Sequence, residues 1–296
     1  MVTGAAGQLG RELMRTLPPG EVIGLAREAL DVADPGAVAA RIATERPDAL
    51  VNAAANNRVD AAETDPASAM ATNADGVGHL ARAAQAAGAF LVHVGTDYVF
   101  DGHARTPYGE DAVPRPLGAY AHSKLAGERQ CAAHAVRHTV VRVAGLYAAG
   151  GSRGKGGSFV DRVLAQARRG ETLRVVDDQV TAPTWARDVA LALARLLPRW
   201  IRGDAPTGIY HMTNAGECSW YEFAQAALEI AGVAARVVPV SSATFAARAP
   251  RPAYSVLANA RLATLGEPPL RHWRAALAAY LADQSLTRST IARPDD

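Results

Sequence analysis

The chain has 296 residues, 49% of them hydrophobic, and 31 basic against 29 acidic side chains, enough apolar content for a substantial core and too little net charge for a nucleic-acid partner. Its two cysteines, Cys131 and Cys218, exclude a disulfide framework or a paired-thiol metal site and point to a reducing cytoplasm. No apolar run nears the ~20 residues that cross a bilayer, the chain opens directly on its first strand with no room for a leader, and its histidines show no metal-ligand spacing; export, membrane residence and a catalytic metal are not expected.

Met1-Val2-Thr3 reads as the first strand. Three residues are few where five or six are usual, so either the start is misplaced or a central strand is short. Gly4-Ala-Ala-Gly7-Gln8-Leu9-Gly10 then precedes a helical stretch from Arg11 to Leu17. Glycines there permit a tight turn, let backbone approach a pyrophosphate and seat a helix whose positive end faces phosphate. The turn, with Gly4, Gly7, Gln8 and Leu9 among its residues, predicts a dinucleotide site. A second strand, Glu21 to Ala26, should end in an acidic residue that reads the adenosine ribose. Arg27 stands there instead. An arginine suits a 2′-phosphate, which favours NADPH with NADH as the alternative; a merely solvated arginine is the competing explanation.

The third strand, Ala49 to Asn52, runs into Ala53, Ala54 and Ala55, small enough for a cofactor to lie against the backbone. A helix from Asp75 to Ala87 leads to the strand Phe90 to Gly95, where His93 reads as a packed residue rather than a ligand. Thr96, Asp97 and Tyr98 follow at the carboxyl edge, where open α/β sheets bind ligands. Asp97 and Tyr98 could equally cap the loop.

Only two of the 31 basic residues are lysine, and one of them is Lys124, four residues after Tyr120. A helix from Ala119 to His134 would project phenol and ammonium from one face. A free phenol titrates near ~10, and a neighbouring cation could bring it toward neutrality. A strand at Thr139 to Val143 completes an alternating pattern, which predicts a doubly wound parallel sheet. Residues 148 to 157 are too rich in glycine for regular structure and read as a substrate loop or a linker.

Beyond that loop the pattern predicts helices at Phe159 to Arg169, Arg187 to Leu197, Ser219 to Ala231 and near Trp273 to Ala282, strands at Leu173 to Val176 and Gly208 to Met212, and a frayed tail after Asp283. Residues 1–147 are therefore expected to form the nucleotide-binding domain. Residues 148–296 are expected to form mainly a substrate-binding region, with some segments returning to the first sheet. Residues 149 to 296 hold 18 basic and 13 acidic side chains against 13 and 16 before them, a bias that suits a diphosphate-bearing substrate.

The glycine turn, Asn52 to Ala55, Val59-Asp60-x-Ala-Glu63, Gly95-Thr-Asp-Tyr-Val-Phe-Asp101-Gly102 and Tyr120-x-x-x-Lys124-x-x-Gly127-Glu128 together resemble the dTDP-4-dehydrorhamnose reductase family, extended short-chain dehydrogenases. Asp178-Gln179, Pro183-Thr184, Ser219 to Phe223 and Arg251-Pro252 extend the resemblance over nearly the whole chain. It implies an α/β fold of Rossmann type with a smaller α/β C-terminal region, and NAD(P)H-dependent reduction of the C4 ketone of dTDP-4-dehydro-β-L-rhamnose. It implies that Tyr120 donates the proton, Lys124 holds the nicotinamide ribose and Thr96 orients the sugar oxygen. Asp31 and Val32 would meet the adenine end, Ala55, Asn56 and Asn57 the inner face of the cofactor, and Asp97, Tyr98 and Arg251 the sugar side.

The chain departs from the family pattern at Asn56-Asn57, Ala121, Ser255-Val256 and above all Gly145, where some members place a tryptophan against the sugar. A reductase of another nucleotide-linked 4-keto-6-deoxysugar is the nearest alternative. A non-catalytic NADP-binding regulatory subunit, like the β-subunit of methionine adenosyltransferase, is the alternative of another class. Some relatives dimerise through magnesium held by glutamates; Glu12 fits one such position but Arg187 occupies another, so a monomer or a homodimer without a metal bridge is expected.

Overall fold

The strand Phe90–Thr96 is buried from both sides, and its alternate residues serve two cores. Phe90 and Val92 face one, with Leu13, Leu193 and Trp200. Leu91 faces the other, with Val38, Ile42 and Leu80. A continuous apolar run of this kind is what a parallel strand covered by helices on both faces requires.

The computed structural model describes residues 1–151, 157–245 and 247–291, with side chains as far as residue 284. The elements in chain order are β1 (Val2–Thr3), α1 (Gln8–Thr16), β2 (Gly24–Leu25), α2 (Pro35–Glu45), β3 (Ala49–Asn52), α3 (Val59–Ala62), α4 (Pro66–Met70), α5 (Gly76–Ala87), β4 (Phe90–Thr96), α6 (Ala119–His134), β5 (His138–Val143) and β6 (Leu146–Tyr147). There follow α7 (Phe159–Arg168), β7 (Leu173–Val176), β8 (Val180–Thr181), β9 (Thr184–Trp185), α8 (Ala186–Arg202), β10 (Gly208–His211), β11 (Cys218–Ser219), α9 (Trp220–Ala231), β12 (Val237–Val240), α10 (Ala260–Thr264) and α11 (Trp273–Ile291).

Six strands form one parallel sheet in the order β10-β5-β4-β3-β1-β2. The chain leaves β1 toward one edge and returns at β3 on the other side, so the strand order reverses between β1 and β3. That switch point is where such sheets open a crevice for ligands. The late strand β10 joins the far edge beside β5. The remaining strands form three short pairs, β7 with β12, β8 with β11 and β6 with β9. Around them Tyr147, Val160, Phe223, Trp273 and Tyr280 build a separate apolar core.

Several boundaries differ from the sequence expectation. Helix α1 begins at Gln8 rather than Arg11 because Gly7 itself is its N-cap. The second strand shrinks to Gly24–Leu25, the length over which it pairs with β1. Helix α8 does not stop before Pro198; it runs to Arg202, because Trp200 in its last turn is buried and stacks on Phe90 with ring centroids 6.0 Å apart. The expected frayed tail is helical to Ile291, and Arg187 ties Asp283 down with two hydrogen bonds of 2.7 and 3.0 Å. Part of the glycine-rich loop, residues 152–156, lies outside the described residues.

Candidate active site

One cavity runs from the switch point along the carboxyl edge of the sheet and out between the short strand pairs. Its first end is made of backbone. Gly4 has φ +66°, and a Cβ there would stand 2.6 Å from the Ala54 nitrogen. A Cβ on Gly10 would stand 2.2 Å from the Gly4 carbonyl oxygen. The turn can therefore be this tight only without side chains. Gly7 opens α1 into the cavity, with no acidic residue in the first turn of the helix. A helix start of this kind fits an anion such as the pyrophosphate of a dinucleotide.

Gln8, Leu9, Val32, Ala53, Ala54, Ala55, Asn56 and Asn57 line the same end. Arg27 and Asp31 do too, but they face each other at 3.4 Å as an exposed ion pair. Gln8 Oε1 accepts from the Ala148 nitrogen at 2.9 Å, which ties the start of α1 to the start of the glycine-rich loop.

The middle of the cavity is set by α6. Glu63 Oε1 accepts from the Ala119 nitrogen at 2.7 Å, capping the helix start one residue before Tyr120. A Cβ on Gly127 would lie 2.1 Å from the Asn73 carbonyl oxygen, so α6 and the π-helical turn at Ala71–Asp75 approach as closely as backbone allows. Asn73 is fully buried; it donates to Ser123 Oγ at 2.9 Å and accepts from the Asn56 nitrogen at 2.8 Å, joining α6 to the loop after β3. Farther along, Glu128 and Arg142 form a two-bond ion pair at 2.9 and 2.7 Å, both nearly unexposed, which fixes α6 to β5. These contacts fix where Tyr120 and Lys124 enter the cavity.

Tyr120 and Lys124 both line that wall. The expectation that the ammonium makes the phenol a near-neutral acid is not met. Burial pushes the Tyr120 phenol above the ordinary tyrosine range, with the nearby Thr96 hydroxyl acting to lower it. Lys124 instead donates to the Val94 carbonyl oxygen at 2.6 Å, and burial lowers its ammonium to about 8. The phenol is thus kept protonated.

Thr96, Asp97 and Tyr98 complete the middle of the cavity. Thr96 Oγ1 donates to Asp97 Oδ1 at 3.1 Å and accepts from the Tyr98 nitrogen at 3.3 Å. The Tyr98 ring meets Tyr120 edge-on, centroids 5.8 Å apart. Arg251 reaches the Tyr98 phenol and pairs with Asp60 at 2.7 Å, latching the segment after residue 249 onto the start of α3.

Beyond this point side chains form the wall. Gly145, with φ +51°, lines the cavity beside Pro183 and Trp220; a Cβ there would be 3.1 Å from the Pro183 Cα and 3.5 Å from the Trp220 ring. Phe159, Arg162, Arg174, Trp220 and Phe245 line the rest. Sequence reasoning singled out none of these five individually, nor Asn73 or the Glu63 cap, although Trp220 and Glu63 stood inside recognised motifs. Beside Glu12, the Arg187 guanidinium stands at 2.9 Å.

The family model for the RmlD substrate binding domain matches residues 1–286. The chain belongs to that family. A dTDP-4-dehydrorhamnose reductase of Streptomyces griseus is 44% identical over 282 residues, which cover 94% of this chain and 91% of that protein. A dTDP-4-keto-6-deoxy-D-glucose reductase of Streptomyces niveus is 38% identical and covers 94% of each chain. Among solved structures, the dTDP-4-dehydrorhamnose reductase of Bacillus anthracis in complex with NADP superimposes with a TM-score of 0.89 at 32% identity, over 95% of this chain and 98% of that one. The parallel sheet and its switch-point crevice are therefore those of the family.

Proposed function

We propose that this chain is an NAD(P)H-dependent oxidoreductase that reduces the C4 ketone of dTDP-4-dehydro-β-L-rhamnose to dTDP-β-L-rhamnose. The observation that carries the reading is the convergence of Tyr120, Lys124 and Thr96 on one cavity whose other end is a glycine turn with no room for a Cβ at Gly4 or Gly10. Relatives that bear this reductase name at 40–44% identity over most of the chain support it. Bound reduced nicotinamide would supply the hydride. Thr96 would hold the sugar oxygen, Tyr120 would protonate it as charge develops, and Lys124 would turn from Val94 to the nicotinamide ribose. Gly4, Gly7, Gln8 and Leu9 would hold the pyrophosphate, and Ala53 to Asn57 the inner face of the cofactor.

NADPH is the preferred cofactor in this reading, because Arg27 can exchange Asp31 for a 2′-phosphate. Arg162 and Arg174, beyond Gly145, would meet the substrate diphosphate. The free and buried Cys131 and Cys218 favour a reducing cytoplasm. Residues 1–147 would bind the cofactor and 148–296 mainly the nucleotide sugar. A second reading, reduction of a different 4-keto-6-deoxysugar, rests on Gly145, which lines the cavity and presents no side chain to the sugar.

The test is cofactor oxidation by the isolated protein with freshly made dTDP-4-dehydrorhamnose, the product identified by NMR. Formation of dTDP-rhamnose is expected. Binding of NADPH without oxidation would turn the reading toward another ketosugar or a regulatory role.

A further inference from the structure

Oxygen-bearing side chains follow one another across the cavity, from the nucleotide-binding half into the C-terminal half. The Tyr120 phenol lies close enough to Thr96 for that hydroxyl to act on it, Thr96 donates to Asp97 at 3.1 Å, Asp97 lies within reach of the Ser255 hydroxyl, and Ser255 Oγ stands 3.2 Å from Thr181 Oγ1. Thr96, Asp97, Ser255 and Thr181 are 6%, 3%, 3% and 4% exposed, yet all four border the cavity. A carboxyl so placed is costly unless it is paired with a cation. The principal groups around Asp97 are instead hydroxyls and backbone N–H groups.

Ketone reduction takes one proton from Tyr120 in every turnover, and that proton must be replaced before the next. We propose that Asp97 replaces it, passing a proton through the Thr96 hydroxyl to the Tyr120 phenolate. The proposal rests on the reductase reading above.

The hydride brings its electron pair to the ketone carbon, and the carbonyl π pair moves to oxygen, which takes the Tyr120 proton. The Thr96 hydroxyl proton then moves to the phenolate while the Asp97 carboxyl proton moves to the Thr96 oxygen. Asp97 recovers a proton from water in the cavity. The ketone is reduced, the dihydronicotinamide is oxidised, and no further reactant is consumed.

Burial raises the Asp97 carboxyl to about 6 against the hydrogen bonds from Ser255 and Thr96, which lower it. At neutral pH roughly a tenth of the molecules would carry the proton. The titratable groups facing it are Tyr98, from the same segment, and Tyr120, from α6; burial raises both, so neither ionises in this range. Arg251 and Asp60 act on Tyr98. The relay is loaded while Asp97 is protonated, so proton return weakens as pH rises through about 6.

The test compares first-turnover and steady-state rates with NADPH and dTDP-4-dehydrorhamnose from about pH 5 to about pH 8. Wild-type steady-state turnover should fall by roughly tenfold per unit above the break. Asp97→Asn should lose at least about tenfold more in steady state near the break than in its first turnover, because Tyr120 starts protonated, and should lose the break itself. Ser255→Ala removes a bond that favours the carboxylate, so its break should move to higher pH.

An Asp97→Asn enzyme with the wild-type steady-state rate and pH profile overturns the relay. So does one whose first turnover falls as far as its steady state, which would make Asp97 a support for Thr96 alone. A wild type that leaves this ketosugar unreduced contradicts the reductase reading itself, and the relay with it.

Discussion

The two ends of the cavity are built from different materials. At the cofactor end, Gly4, Gly10 and the alanines after β3 bring backbone against backbone, and there is no space for a single added carbon. At the far end the wall is Phe159, Arg162, Arg174, Trp220 and Phe245, carried on α7, β7, α9 and the segment after β12. A backbone cradle recognises what every dinucleotide has in common, and side chains can be exchanged without disturbing the sheet. The first end should therefore fail when anything is added, and the second should change preference when something is removed.

The largest effect should come from the clamp between the ends. Glu128→Gln leaves the Arg142 guanidinium buried beside a neutral amide, and breaking a buried pair of this kind costs about 3–5 kcal/mol. Denaturant unfolding should show that loss. Gly10→Ala attacks the backbone end, with an expected cost of about 1–3 kcal/mol from overpacking and loss of most cofactor affinity by fluorescence titration. If Gly10→Ala bound cofactor normally, the contrast between the ends would break down.

Arg174→Ala should sharpen the contrast from the other side. Its KM for the nucleotide sugar should rise roughly tenfold, about the worth of one charge-assisted hydrogen bond, while cofactor affinity is unchanged. Lys124 gives the pH counterpart. An ammonium lowered to about 8 is charged below that pH and neutral above it, so cofactor binding should weaken as pH rises through this value, and Lys124→Met should abolish the dependence. The smallest effect is Arg27→Ala, which should weaken NADPH by about threefold to tenfold and leave NADH nearly unaffected, because the arginine is exposed and already faces Asp31. Equal effects on both cofactors would remove the 2′-phosphate argument.

The same division explains what could be read from the sequence. Where the site depends on backbone, the residue type states the reason: glycine at 4, 7 and 10, alanine at 53 to 55. Helix α6 could be placed at 119–134, where it is observed, because its Tyr-Lys spacing is helical. His93 is the packed strand residue that was expected, 3.1 Å from Asn52. Other features depend on tertiary contact. Nothing in the spacing of Asn73 marks it as the link between α6 and the loop after β3, and the π-helical turn that carries it has no distinctive pattern. The two-residue strands β6, β8, β9 and β11 exist only through their pairing. The acidity of Tyr120 was misjudged because an i, i+4 spacing gives proximity but not where the ammonium points, and here it points at Val94.

The central claim is that Tyr120 delivers the proton in ketosugar reduction. The direct test is Tyr120→Phe beside wild type, measuring NADPH binding and turnover with dTDP-4-dehydrorhamnose in the same preparation. Retained binding with turnover reduced by about 10²–10⁴-fold is the predicted result. Near-normal turnover in Tyr120→Phe would contradict it.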